Sequence, residues 1–230
     1  MSPPSSLDKT TLVLQERIER LLRHQKLSDP KRRILIALAG VPGSGKTTVS
    51  DALLRTLPSH GITDVADGFH HTRAALATFD DPELAFRKRG APFTFDARAL
   101  LRHVLDLKAI PVTECDEPEV VLYAPSFDHA VGDPVPDAIS ISSRCRVVIV
   151  EGNYTLLDEE PWSQVAKAVD ERWFVDVQPD VARERLALRH LHAGIEKTME
   201  DAVARAEDND LPNGRLIRSK LIAPDVRIVN

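Results

Sequence analysis

Residues 40–48 run Gly40, Val41, Pro42, Gly43, Ser44, Gly45, Lys46, Thr47, Thr48, which fits the pattern G-x-x-x-x-G-K-[ST] with an extra glycine inside. Before it stands an unbroken apolar run, Ile34 to Ala39, and after it a helix-permissive stretch from Thr48 to Leu57. A buried strand, a glycine loop and a helix start in that order restrict the chain to folds that place a helix N-terminus at the end of a strand. Glycines let successive backbone N–H groups turn inward toward phosphate oxygens. The helix N-terminus adds its partial positive charge, Lys46 can reach the β and γ phosphates, and the Thr47 hydroxyl can ligate Mg²⁺. The nine residues imply a bound nucleoside triphosphate.

The rest of the pattern agrees with that start. Short apolar segments at 33–39, 62–66, 146–150, 172–177 and 226–229 alternate with helical stretches near 48–57, 96–108, 162–169, 179–193 and 198–208. Such alternation predicts an α/β fold, a mostly parallel, doubly wound sheet flanked by helices, with ligands at the carboxyl ends of the strands. Residues 1–27 read as a tail and an amphipathic helix over 8–25, since Leu14, Ile18, Leu21 and Leu22 recur at helical spacing. Residues 28–230 then form a single domain. Within it, 109–143 is rich in Pro, Asp and Ser and reads as an inserted β flap. The stretch from Asp208 to Gly214 reads as polar turn chemistry.

Composition narrows the class of partner. A formal charge of −5 argues against nucleic acid and against an anionic membrane surface, because both reward a basic face. Cys115 and Cys145 have no metal-ligand spacing and fit reduced thiols. No apolar run approaches the ~20 residues of a membrane span. The expected location is cytoplasmic.

Three further blocks carry candidate chemistry. Asp67-Gly68-Phe69-His70, with Arg73 following, comes after an apolar segment, so Asp67 falls at a strand's carboxyl end beside the glycine loop. A carboxylate there can accept the proton of an attacking hydroxyl, although a turn or cap aspartate is the common alternative. Glu151 ends the run Val147 to Val150 and can hold Mg²⁺ directly or through water. Beyond it, Asn153 and Tyr154 can meet an acceptor, though a tyrosine at a strand end equally serves packing. Arg185 and Arg189 share a face of the helix at 179–193, where arginines can neutralise a transferring phosphoryl group. Arg189 is the stronger candidate of the two, being close to Gly194, where a lid could bend. His70-His71 makes a poor metal pair because adjacent side chains diverge. Arg87-Lys88-Arg89 reads as a solvated helix end.

In this order the blocks resemble the phosphoribulokinase/uridine kinase family of P-loop small-molecule kinases, which also includes prokaryotic-type pantothenate kinases. Arg89-Gly90-Ala91-Pro92-Phe93-Thr94-Phe95-Asp96 is similar to the family's RG-x-P-x-[ST]-[FY]-D stretch, and Pro125-Ser126-Phe127-Asp128-His129 to its segment over the acceptor. Glu151-Gly152 matches the pair after the central strand. Within the family the strings are most similar to a nucleoside/nucleotide kinase-like branch. The resemblance implies a P-loop NTPase fold with an Arg-bearing lid helix, ATP and Mg²⁺, a small-molecule hydroxyl acceptor (nucleoside-like, vitamin or sugar) and a homodimer. Asp67 would then be the base, Lys46, Arg185 and Arg189 catalytic cations, and Thr47 and Glu151 metal ligands. His70, Arg73, Phe127, His129 and Tyr154 would line the acceptor pocket. The alternative is a P-loop NTPase acting as a nucleotide-dependent switch or accessory protein. It lacks support in the sequence, for neither D-x-x-G nor N-K-x-D occurs.

Overall fold

The computed structural model describes residues 6–57, 62–64, 67–128 and 131–230, and at 62–64 and 67 the backbone alone. Five parallel strands make the main sheet: β1 (Ile34–Gly40), β2 (Ile62–Asp64), β5 (Val147–Glu151), β6 (Glu171–Asp176) and β7 (Val226–Val229). Their order is β2-β5-β1-β6-β7, so β1 lies at the centre. Strands covered on both faces have no polar side to present, which is why β1 and β5 read as continuous apolar runs and are buried at every position.

Alternation within those runs sends side chains to two cores. Leu35, Ala37, Ala39, Val148, Val150 and Phe174 face one way. They pack against α5 (Ala97–Ala109), α6 (Trp162–Ala168), α7 (Pro179–His192) and α9 (Leu211–Ser219). Ile34, Ile36, Leu38, Val147, Ile149, Trp173 and Val175 face the other. There α1 (Ser6–Ser28) inserts Leu14 and Ile18, and α2 (Lys46–Thr56) inserts Val49 and Leu53. A polar contact fixes α1 as well: Arg17 Nε donates to Glu171 Oε2 at 2.5 Å, and the buried Trp173 indole donates to the same oxygen at 2.7 Å.

The insertion contains a two-stranded antiparallel hairpin, β3 (Val121–Asp128) and β4 (Asp133–Ser142). These strands are longer than the short apolar pieces of the sequence suggest, because each continues through Pro, Ser and Asp residues. Arg33, only 1% exposed, ties the hairpin's base to the sheet. It donates to the carbonyls of Cys145, Leu107 and Ser142 at 2.8, 2.8 and 3.3 Å.

Two expectations need correction. The stretch 208–214 is helical: α8 (Met199–Arg205) passes through a π-helical turn, Ala206–Asp210, directly into α9. Pro212 sits in the first turn of α9, where its missing N–H costs nothing, so a turn-like composition is compatible with a helix start. Two short helices, α3 (Arg73–Leu76) and α4 (Pro82–Arg87), also went unread; each is started by a side-chain cap, Thr72 and Asp81 respectively. No helix among the described residues is long and apolar enough to cross a membrane.

Candidate active site

The glycine loop joins β1 to α2 at the centre of the sheet, where the connections to either side diverge and open a crevice. Gly43 and Gly45 hold φ of 75° and 88°, values that side-chain-bearing residues rarely adopt. Gly40 is required for space: a Cβ there would lie 2.6 Å from the Val175 carbonyl oxygen. Because Gly45 starts α2 without a side-chain cap, the first-turn N–H groups are left for an outside acceptor. Ser44 Oγ, inside the loop, is fully buried and has no hydrogen-bond partner among the described residues. A polyphosphate fits this cradle, since it supplies acceptors to all of these groups.

Glu151, at the end of β5 and 7% exposed, faces α2. Thr47 Oγ1 donates to its Oε1 at 2.8 Å, and Ser50 Oγ to its Oε2 at 2.7 Å. A carboxylate and a hydroxyl so joined make an all-oxygen set suited to Mg²⁺, and the carboxylate keeps further lone pairs for the ion or its water. Lys46 Nζ donates to Asn153 Oδ1 at 2.6 Å. Asn153 therefore sits beside Lys46. Asn230 Nδ2 donates to the Ser44 carbonyl at 2.8 Å, bracing the loop from the other side.

Asp67 opens the 3₁₀ turn Asp67–Phe69; its side chain lies outside the described residues. Gly68 has its own steric reason, because a Cβ there would be 1.9 Å from the Pro125 carbonyl oxygen of β3. The His70 ring lies between Phe95 and Phe127, with centroids 3.8 and 4.6 Å away. Arg73 is exposed at the start of α3, and its main-chain N–H donates to Asp133 Oδ1 at 2.7 Å. His129 lies outside the described residues.

Tyr154 does not line an open pocket. It is 1% exposed, packs edge-on to Phe95, and its hydroxyl donates to the Gly90 carbonyl at 2.6 Å. Burial, with the Asp210 charge adding to it, pushes its pKa up. Packing, the other reading of this residue, is what the structure gives it.

On α7, Arg185 Nη1 donates to the Gly43 carbonyl at 3.3 Å. Arg189, one turn further along, is exposed and has no hydrogen bond or ion pair among the described residues. Arg87 and Lys88 suit a helix end, but Arg89 does not. It turns inward, its guanidinium 5.3 Å from the Phe127 ring centroid and its Nη2 donating to the His71 carbonyl at 2.9 Å. Among these unread partners, Ser50 had a signal, lying one turn after Thr47 on the same helix face. Asn230 had none, and for Asn153 and Arg89 the sequence marked the residue but not its partner, since tertiary packing alone sets both contacts.

The model of the family described as Phosphoribulokinase / Uridine kinase matches residues 35–193, from β1 to just beyond the end of α7. The chain belongs to this family. Its kinases share a phosphate-binding loop and use ATP, typically with Mg²⁺. A family relative in Schizosaccharomyces pombe, provisionally named uridine kinase C227.14, is 40% identical over 218 residues, 93% of this chain and 87% of that one. A solved structure from Silicibacter sp. TM1040, provisionally described as a fructose transport system kinase, is 32% identical with a TM-score of 0.76, covering 93% and 98% of the two chains. YFH7 from Saccharomyces cerevisiae shares the fold: its TM-score is 0.82 at 24% identity, over 96% and 99% of the chains.

Proposed function

We propose that this protein transfers the γ-phosphoryl group of ATP to a hydroxyl of a small-molecule acceptor, with Asp67 as the base. The observation that carries the reading is the joined arrangement at the end of β5, in which Glu151 takes Thr47 and Ser50 while Asn153 takes Lys46. A phosphate cradle with an ordered carboxylate suits phosphoryl transfer, where catalysis is mainly positioning and charge compensation.

Lys46 and the loop amides hold the phosphate chain and withdraw charge from the γ-phosphoryl oxygens. Thr47 and Glu151 would hold Mg²⁺, which when bound supplies charge neutralisation between the β and γ phosphates. Asp67 accepts the acceptor's hydroxyl proton as its oxygen closes on phosphorus in line. Arg185, already on the glycine loop, and Arg189, reached by bending of α7, screen the remaining charge. The aromatic wall of Phe95, His70 and Phe127 encloses the acceptor. A nucleoside-like compound, a vitamin and a sugar all carry a suitable hydroxyl.

The test is a coupled ADP-release screen of the purified protein against such compounds, followed by Asp67→Asn on the best acceptor. Turnover is expected to drop by about 10²–10⁴-fold while ATP affinity stays within about twofold. Near-normal turnover of that variant would remove Asp67 from its role. Hydrolysis stimulated by a protein and by no hydroxyl compound would favour the switch reading.

A further inference from the structure

Arg89 is an expensive residue to bury as it stands. Its side chain is only 14% exposed, yet Nε and Nη1 have neither solvent nor a hydrogen-bond partner among the described residues. Nη2 reaches the His71 carbonyl well but meets Asp133 Oδ1 only at 3.5 Å, far longer than a formed guanidinium–carboxylate bond. That same Asp133 oxygen is already taken, at 2.7 Å, by the Arg73 main-chain N–H. Asp128, at the end of β3, accepts the Val131 N–H through Oδ1 at 3.1 Å. The Arg73 guanidinium stacks over Phe86 at 5.4 Å and has no carboxylate partner among the described residues. It is close enough that its charge, after burial, helps to lower the Arg89 pKa, while Asp133 opposes the shift.

Arg89 does not face empty protein. Its guanidinium lies over Phe127, whose ring also stacks on His70, three residues from Asp67. The main chain beside it is held firmly: Asn209 Nδ2 donates to the Arg89 carbonyl at 2.9 Å, and Tyr154 to that of Gly90. A structural arginine normally has its donors satisfied, because each charged donor left unpaired in a buried place is strongly destabilising. A guanidinium with donors to spare has the chemistry of an oxyanion receptor, and because Nε and Nη1 are closed to solvent it takes an anion by shifting from its place.

We propose that the hydroxyl compound phosphorylated here carries an anionic group, a carboxylate or a phosphate, which Arg89 and Arg73 take up beside Phe127. The proposal rests on the kinase reading above and narrows the acceptor to an acid. Asp133 then marks the near edge of the anion's place, and its loose contact with Arg89 yields to a tighter one when the acid binds.

Matched sets test this: glycerol against glycerate and glycerol 3-phosphate, glucose against gluconate and glucose 6-phosphate, and pantothenol against pantothenate. ADP release and thermal stabilisation are both read, for the wild type, Arg89→Lys and Arg73→Gln. Acidic members are expected to exceed their neutral counterparts by about a hundredfold in kcat/KM, and both variants to bring that ratio down at least about tenfold. The carboxylate and phosphate arms separate the two sources of the anion. Arg73→Gln changes an exposed side chain, so it reports even where Arg89→Lys folds poorly. Neutral members used as well as acids overturn the anion site and leave the kinase standing. Acid-dependent stabilisation that both variants abolish, without ADP release from any compound, supports the anion site and overturns the kinase reading. The absence of both ADP release and Arg-dependent stabilisation with every compound overturns the proposal.

Discussion

At the scale of single residues, the site is built from side chains that hold one another before any substrate arrives. Asn153 keeps the Lys46 ammonium near the crevice, and Ser50 turns the Glu151 carboxylate toward Thr47. Asn153→Ala is expected to lower kcat/KM for ATP about tenfold, the loss of one hydrogen bond to a charged group, with the fold retained by circular dichroism. Ser50→Ala is expected to raise the Mg²⁺ concentration for half-maximal turnover about tenfold, read by metal titration, since second partners of a ligand tune its affinity. The glycine loop and Glu151 were legible from the chain because each sits at a strand end whose apolar run is visible. Asn153 was visible too, but its assignment went to the acceptor, since nothing local shows which way an asparagine after a strand turns.

At the scale of elements, the wall proposed for the acceptor is a set of pieces locked by main-chain contacts. The turn at 88–90 is held by Lys88 Nζ on the Asp208 carbonyl at 2.5 Å, by Asn209 and by Tyr154. Tyr154→Phe leaves the Gly90 carbonyl without its donor and is expected to destabilise the protein by about 1–3 kcal/mol in urea unfolding. His103 on α5 packs 5.6 Å from the Phe69 ring, and burial, opposed by Asp106, lowers its pKa below 6.5. With the folded value depressed, stability is complete above the unfolded pKa and is lost as pH falls below about 6.5 toward the folded value. His103→Leu is therefore expected to lose less stability than the wild type between about pH 7.5 and 5.5, as read by thermal melts. The hairpin was foreseen from composition, but its strand ends were not, because β3 and β4 lack a continuous apolar face. The helix foreseen at 198–208 continues to 219, and that continuation hid behind Asp, Asn, Pro and Gly, residues that serve a helix start as well as a turn.

Across the whole molecule, the sheet's two-sided burial was legible because strands without a polar face leave long apolar runs. How the insertion attaches was not, because its key is one arginine. Arg33 meets the Leu107 carbonyl near the end of α5, where Pro111 has no N–H to offer as the usual helical donor. Arg33→Met leaves the Leu107 carbonyl in need of a donor, takes one donor each from the carbonyls of Cys145 and Ser142, and is expected to destabilise the fold by about 3 kcal/mol, measured by chemical denaturation. A larger loss of hydrogen-exchange protection in 121–142 than in β1 would locate the effect at the hairpin.

The missing side chain at Gly68 has a mechanical consequence. With the Pro125 carbonyl seated where a Cβ would be, the turn that presents Asp67 and the strand that presents Phe127 share a seam with no slack. The two walls must travel together, so admitting a molecule cannot part them from each other. Any opening at this place is therefore expected against the glycine loop and α7, and the proposed base and the Phe127 ring would move as one body.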